Sequence, residues 1–112
     1  MLQQGRSGER QVVPEGWTLE MSAPRHSWHE RYGAQSGLTY GYLWWVADTA
    51  PVPAYFAWGH GGQFVYVVPS LQLVVVTTTE WRGVTTDPST SPLGLAQDVL
   101  GVVVRDLLPA AH

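Results

Sequence analysis

The chain contains no cysteine, and lysine, asparagine and isoleucine are missing as well. Without cysteine there is no disulfide framework, no thiolate nucleophile and no cysteine-ligated zinc or iron–sulfur centre, so cysteine usage carries no information about compartment. Without lysine there is no P-loop, no Schiff base and no Ser-x-x-Lys nucleophile pair, because each of these needs an amine on a flexible stem. All six basic residues are arginine. Lys, Asn and Ile have AT-rich codons, and their joint absence reads most simply as a GC-rich coding sequence. Charge of either sign is scarce: 13% of the 112 residues are charged, about half the roughly 25% of an average soluble domain. The formal net charge is −3 and no basic cluster occurs, so the positive footprint that nucleic-acid phosphates demand is missing. Long apolar runs are absent too. No stretch reaches 18 consecutive apolar residues, and the opening MLQQGRSGER has no apolar segment to serve as a signal peptide, so neither a membrane span nor a leader is expected.

What the chain does have is apolar and aromatic: 45% hydrophobic residues, with six Trp. Its length suits one small core. Residues 1–34 are polar and punctuated by Gly5, Gly8, Pro14, Gly16, Pro24 and Gly33, with at most a short helix opening at Pro14 and carrying Trp17, Leu19 and Met21. From residue 35 the character changes. GLTYGYLWWV reads as one strand, AYFAWGH as a second, QFVYVV as a third ending at a Pro69-Ser70 turn, and LQLVVVTTTEW as a fourth closing at Trp81-Arg82-Gly83. In the last of these Leu71, Leu73 and Val75 face one way and Val74 and Val76 the other, so both faces are apolar and both need cover. One cover is present. Ser91 can cap a helix with Pro92 in its first turn, and Ala96, Val99, Leu100, Val103 and Leu107 recur at helical spacing opposite Gln97, Asp98, Gly101 and Arg105, up to Pro109. The other sheet face is expected to lack a partner. The fold class is therefore α+β: an antiparallel sheet of three to four strands with a C-terminal helix.

The most informative stretch is AWGHGGQFVYVVP, residues 57–69. Glycines beside His60 at the start of a strand remove the Cβ atoms that keep another molecule from the backbone, and the edge of bare N–H groups that results can add an extended ligand or polarise a carbonyl. A plain tight turn accounts for the same glycines.

The order YGYLWWV, then YFAWGHGGQFVYVVPSLQLVVVTTTEW, then an amphipathic helix, resembles the C-terminal portion of the serine β-lactamase-like superfamily. That superfamily contains class C β-lactamases, DD-peptidases, esterases and 6-aminohexanoate-dimer hydrolases. The opening MLQQGRSGERQVVPEGW is similar to a segment of the form LL-x-x-G-R-x-x-G-x-x-V-V-P-x-x-W in the same family. The resemblance implies a partial β-lactamase/DD-peptidase-like fold, with residues 1–34 a remnant of the helical or connecting region and residues 35–112 the C-terminal sheet and helix. It also implies that His60-Gly61-Gly62 matches the family's third motif, Lys-Thr-Gly or an equivalent such as His-x-Gly. His60, Gly61 and Gly62 would then bind substrate, Gly62 permitting close approach, and Gln63 would donate its backbone N–H to an oxyanion hole. No cofactor and no metal are implied. The substrate of the parent protein would be a small ester, amide or β-lactam, and family members are often exported.

The chain departs from the family at two points. With no Lys the Ser-x-x-Lys motif cannot be present, and with no Asn the Tyr-x-Asn motif cannot be present in its usual form. The expected function is thus a C-terminal fragment of a β-lactamase-related serine hydrolase, inactive alone, whose partner is a missing N-terminal portion or subunit. The alternative is a small aromatic-rich β module that binds carbohydrate or peptide, or an interaction subunit complementing an N-terminal partner.

Two further constellations are weaker. His26, His29, Glu30 and His60 could in principle gather round zinc, although surface histidines in a polar stretch explain them as well. Ser70 with His60 and Asp48 or Asp87 does not make a triad, since Ser70 lies at the far end of the strand that His60 begins, about 20 Å away at roughly 3.3 Å per residue.

Overall fold

The structure, a computed structural model, describes residues 3–28, 36–47, 52–80, 82 and 91–111. A small hairpin comes first, β1 (Arg6–Ser7) against β2 (Arg10–Gln11), followed by a single helical turn, α1 (Trp17–Met21), that starts from Gly16 rather than Pro14. The strands that follow form an antiparallel meander in chain order: β3 (His26–Ser27), β4 (Thr39–Tyr40), β5 (Trp45–Ala47), β6 (Ala54–Gly59), β7 (Gln63–Val68) and β8 (Leu73–Thr77). A C-terminal helix, α2 (Pro92–Val102), continues through a π turn at Val103–Leu107 to a last α turn at Leu108–Ala110. The architecture is α+β with an antiparallel sheet and a C-terminal helix. The strand number corrects the expectation of three to four: the sheet has six strands.

Two departures from the periodicity raise the count. GLTYGYLWWV is a hairpin instead of one strand, because the chain reverses between Gly41 and Trp44, where the Gly41 N–H donates to the Trp44 carbonyl at 2.8 Å. His26–Ser27, in the polar first segment, adds an edge strand against β4. The reversal also sets the facing of the aromatics. Tyr40 and Trp45 are register partners and share a face, whereas simple alternation along one strand separates them.

Register sorts the sheet into two faces. Trp45, Phe56, Tyr66 and Val75 form a row on one side, and Val46, Tyr55, Val67 and Val74 on the other. The first row, with Phe64 and Val68, meets Ala96, Leu100, Val103, Val104 and Leu108 of the helix in the main core. Each large side chain buried there contributes roughly 1.5–3 kcal/mol relative to exposure. The helical stripe differs from the expected one at its end: Leu108 is buried and Leu107 is exposed. The π turn adds a residue to the helical repeat and so rotates the apolar stripe by one position. It falls just before Pro109, whose ring cannot sit against an ordinary i−4 carbonyl, and the helix passes Pro109 to end at Ala110. Ser91 caps α2 as expected, its Oγ accepting from the Gly94 N–H at 3.1 Å.

On the second face, Met21 of α1 and Trp44 close over Val46, Tyr55 and Val67. Cover stops there. Val65, Val74 and Val76 remain 37%, 44% and 63% exposed, so the unpartnered face foreseen from the sequence is confined to the β7–β8 side.

Candidate functional site

His60, Gly61 and Gly62 form the turn between β6 and β7, between the register partners Gly59 and Gln63. Gly61 and Gly62 have φ of +78° and +91°, a region open to glycine at little cost and strained for other residues. The turn is held from the next strand. Thr77 Oγ1 accepts the Phe64 N–H at 3.0 Å and donates to the Gly62 carbonyl at 2.9 Å, and the Thr79 hydroxyl donates to the Gly61 carbonyl. A further tie is on the surface, where Gln63 Nε2 donates to the His60 carbonyl at 3.3 Å.

Gly62 also fits against the helix. An ideal Cβ on it would stand 3.2 Å from both Ala96 Cα and Val99 Cγ2, so the close approach this glycine permits is that of α2. His60 is exposed at the tip, and with Trp58, Gly59 and Gly61 it lines a cleft of about 240 Å³ closed on the other side by Pro92 and Ala96. The structure therefore brings His60 and Gly61 together in one cleft at the N-terminus of α2. Gln63 lies instead in a shallow depression on the opposite face, with Ala57, Phe64, Val65 and Val76.

The direction of the Gln63 N–H follows from alternation. The Phe64 N–H points to β8, so those of Gln63 and Val65 point to β6. β7 lies between β6 and β8, and the bare edge expected at the start of this strand belongs instead to β8, the last strand of the sheet. Counting along β8, Leu73, Val75 and Thr77 face β7, while Val74 and Val76 turn their N–H and C=O groups outward.

A second group was not legible from alternation. Trp45 is the hub of an aromatic row, with its ring centroid 5.3 Å from Trp28, 4.9 Å from Tyr40 and 5.6 Å from Trp58. His26, Ser27, Trp28, Tyr40 and Trp45 line an open groove of about 280 Å³, and Trp58 joins this row to the His60 cleft. The signal that finds it is the Gly41 reversal. A third cleft, also about 280 Å³, lies under α1 between Thr18, Ser22, Val46 and Tyr55. There burial raises the pKa of the Tyr55 hydroxyl above its ordinary value.

The sequence matches no family model and no curated protein.

The weaker constellations do not assemble among the described residues. His26 is on β3 and His60 at the β6–β7 turn, His29 and Glu30 lie outside the described residues, and no three His, Asp or Glu side chains gather as metal ligands among those described. Ser70 is in the 3-10 turn Pro69–Leu71 at the opposite end of β7 from His60, and Asp48 and Asp87 are outside the described residues. No helix among the described residues is long and apolar enough to cross a membrane.

Proposed function

We propose that this chain is the C-terminal sheet-and-helix portion of a β-lactamase-related serine hydrolase, in which a serine supplied from elsewhere attacks an ester, amide or β-lactam carbonyl. The observation that carries the proposal is the His60-Gly61-Gly62 turn: a hairpin tip with an exposed imidazole, glycines locked at positive φ, and a cleft beside the N-terminus of α2. In this role His60 polarises or binds the acyl side of the substrate, Gly61 leaves the cleft floor open, and Gly62 fixes the tip on α2. Gln63 is the family's oxyanion position by resemblance, and an N–H aimed at β6 requires the β6–β7 tip to open before it can donate to a substrate.

Chemistry by the chain alone is not expected. No lysine is available to activate a serine. The purified 112-residue protein should leave a chromogenic cephalosporin and a nitrophenyl ester unhydrolysed. Turnover that survives purification and disappears on His60→Ala would overturn the proposal. An in-frame Ser-x-x-Lys encoded upstream of Met1 would support it.

The aromatic row favours a second function, binding of a carbohydrate or peptide. Trp28 is 45% exposed and meets Trp45 edge to face, as Tyr40 does, and exposed aromatic faces stack on sugar rings. Retention on an immobilised polysaccharide that is lost on Trp28→Ala would favour this function over the hydrolase fragment.

A further inference from the structure

The cleft under α1 has no part in the proposed hydrolase chemistry. Thr18 and Ser22 line it from α1 and its C-terminal end, Val46 and Tyr55 from the sheet, and Pro24, Pro53 and Pro69 from connecting segments. No charged side chain lines it among the described residues, and the prolines bring a fixed backbone without an N–H. Its volume is about 280 Å³, whereas an apolar cavity of roughly 150 Å³ already accepts benzene, so a ring with a short substituent fits.

One hydroxyl of the lining is left unanswered. The Thr18 hydroxyl donates to Gln4 Oε1 at 3.0 Å and the Ser22 hydroxyl to the Thr18 carbonyl at 2.7 Å, so both of those protons are used inside the protein. Tyr55 is only 7% exposed, and its hydroxyl has no hydrogen-bond partner among the described residues. A nearly buried hydroxyl without a partner costs free energy that a bound acceptor recovers. Burial also raises the pKa of this phenol, so at neutral pH it is a donor. Gln4, which completes the lining, is fixed on two sides: Thr18 bonds its side chain, and its carbonyl accepts from Gln11 Nε2 at 2.8 Å while the residue holds a φ of +53°. Neighbours that over-determine such a conformation make the wall rigid, and a rigid wall lowers the ordering cost of binding.

We infer that this cleft binds a compact, neutral, largely apolar molecule with one carbonyl group, whose oxygen accepts the hydrogen bond of the Tyr55 hydroxyl and whose apolar body lies against Val46 and the prolines. An anion would give up its hydration for a single donor, and a cation would find no carboxylate. Every residue named belongs to this chain, so the site needs no group from an absent portion and is independent of any hydrolase role.

The test uses the full chain with acetophenone as the probe. Isopropenylbenzene, which keeps its shape and replaces the carbonyl oxygen by a methylene, is the apolar counterpart, and benzoate the charged one. Acetophenone should cause saturable NMR shifts centred on the Thr18, Val46 and Tyr55 amides, with nuclear Overhauser contacts between the ligand and the Val46 methyl groups. Tyr55→Phe should weaken acetophenone about fivefold and leave isopropenylbenzene unchanged, while benzoate moves these amides in neither protein. The Overhauser contacts are measured on wild type and decide the matter if the variant fails to fold. Amides that never saturate with acetophenone, an equal effect of Tyr55→Phe on the two neutral ligands, contacts to Trp28 and Trp45 in place of Val46, or benzoate bound as tightly as acetophenone would each overturn the inference.

Discussion

Gly62 does two jobs that are separable in principle: it takes a φ of +91°, and it lets α2 approach the hairpin tip. Gly62→Ala meets both obstacles, strain at positive φ and a Cβ against the Ala96 backbone. It should cost about 1–3 kcal/mol in chemical denaturation; an unchanged midpoint would show that the tip is not held as described. Tyr55 makes a second residue-scale test. Burial raises the pKa of its phenol above the ordinary 10.0. The folded state thus holds this proton more tightly than the unfolded chain, so the contribution of Tyr55 to stability is complete below about pH 10 and is lost as pH rises through the higher folded value. Unfolding free energy measured upward from pH 9 should fall, and Tyr55→Phe should flatten that fall.

The elements differ in how openly the sequence announces them. The bounds of β6 and β7 follow from β-branched and aromatic runs cut by Gly59 to Gly62 and by Pro69, and the start of α2 follows from Ser91 and Pro92. The β4–β5 reversal carries no such signal. Leu43 takes φ of +63°, a conformation unusual for a branched apolar side chain, and it is stabilised from outside: the Tyr42 N–H donates to the Met21 carbonyl at 3.0 Å, and the Arg25 guanidinium lies 4.1 Å from the centre of the Tyr42 ring. A tertiary contact with α1 thus makes the turn that local propensity does not. The end of α2 is a similar case, since period-3.6 counting puts Leu107 inside and the π turn before Pro109 puts Leu108 there instead. Paired truncations read the difference. Leu108→Ala should destabilise by about 2–5 kcal/mol and Leu107→Ala by under about 1 kcal/mol in thermal or denaturant unfolding, and equal effects would restore the simple helical stripe.

At the scale of the whole molecule, the core is lopsided among the described residues: one sheet face lies under α2, and the other is partly covered by Met21 and Trp44. The exposed Val65, Val74 and Val76 should bind an anilinonaphthalene dye in the native state. Dye fluorescence should drop in Val65→Thr with Val76→Thr, which keep the β-branched shape; a native chain that never enhances the dye would mean that the face is covered.

The candidate site shows the same division. Composition alone removed lysine- and cysteine-based chemistry, and the spacing of glycines around His60 marked a hairpin tip and its neighbours on the sheet; these follow from which atoms the side chains carry and from period-two alternation. Only the folded chain decided that Gly62 faces a helix, that Gln63 turns its N–H toward β6, that Trp28, Tyr40 and Trp45 converge, and that the bare edge is β8. Those depend on how strands register and which elements pack together, and contacts between residues far apart in sequence set both.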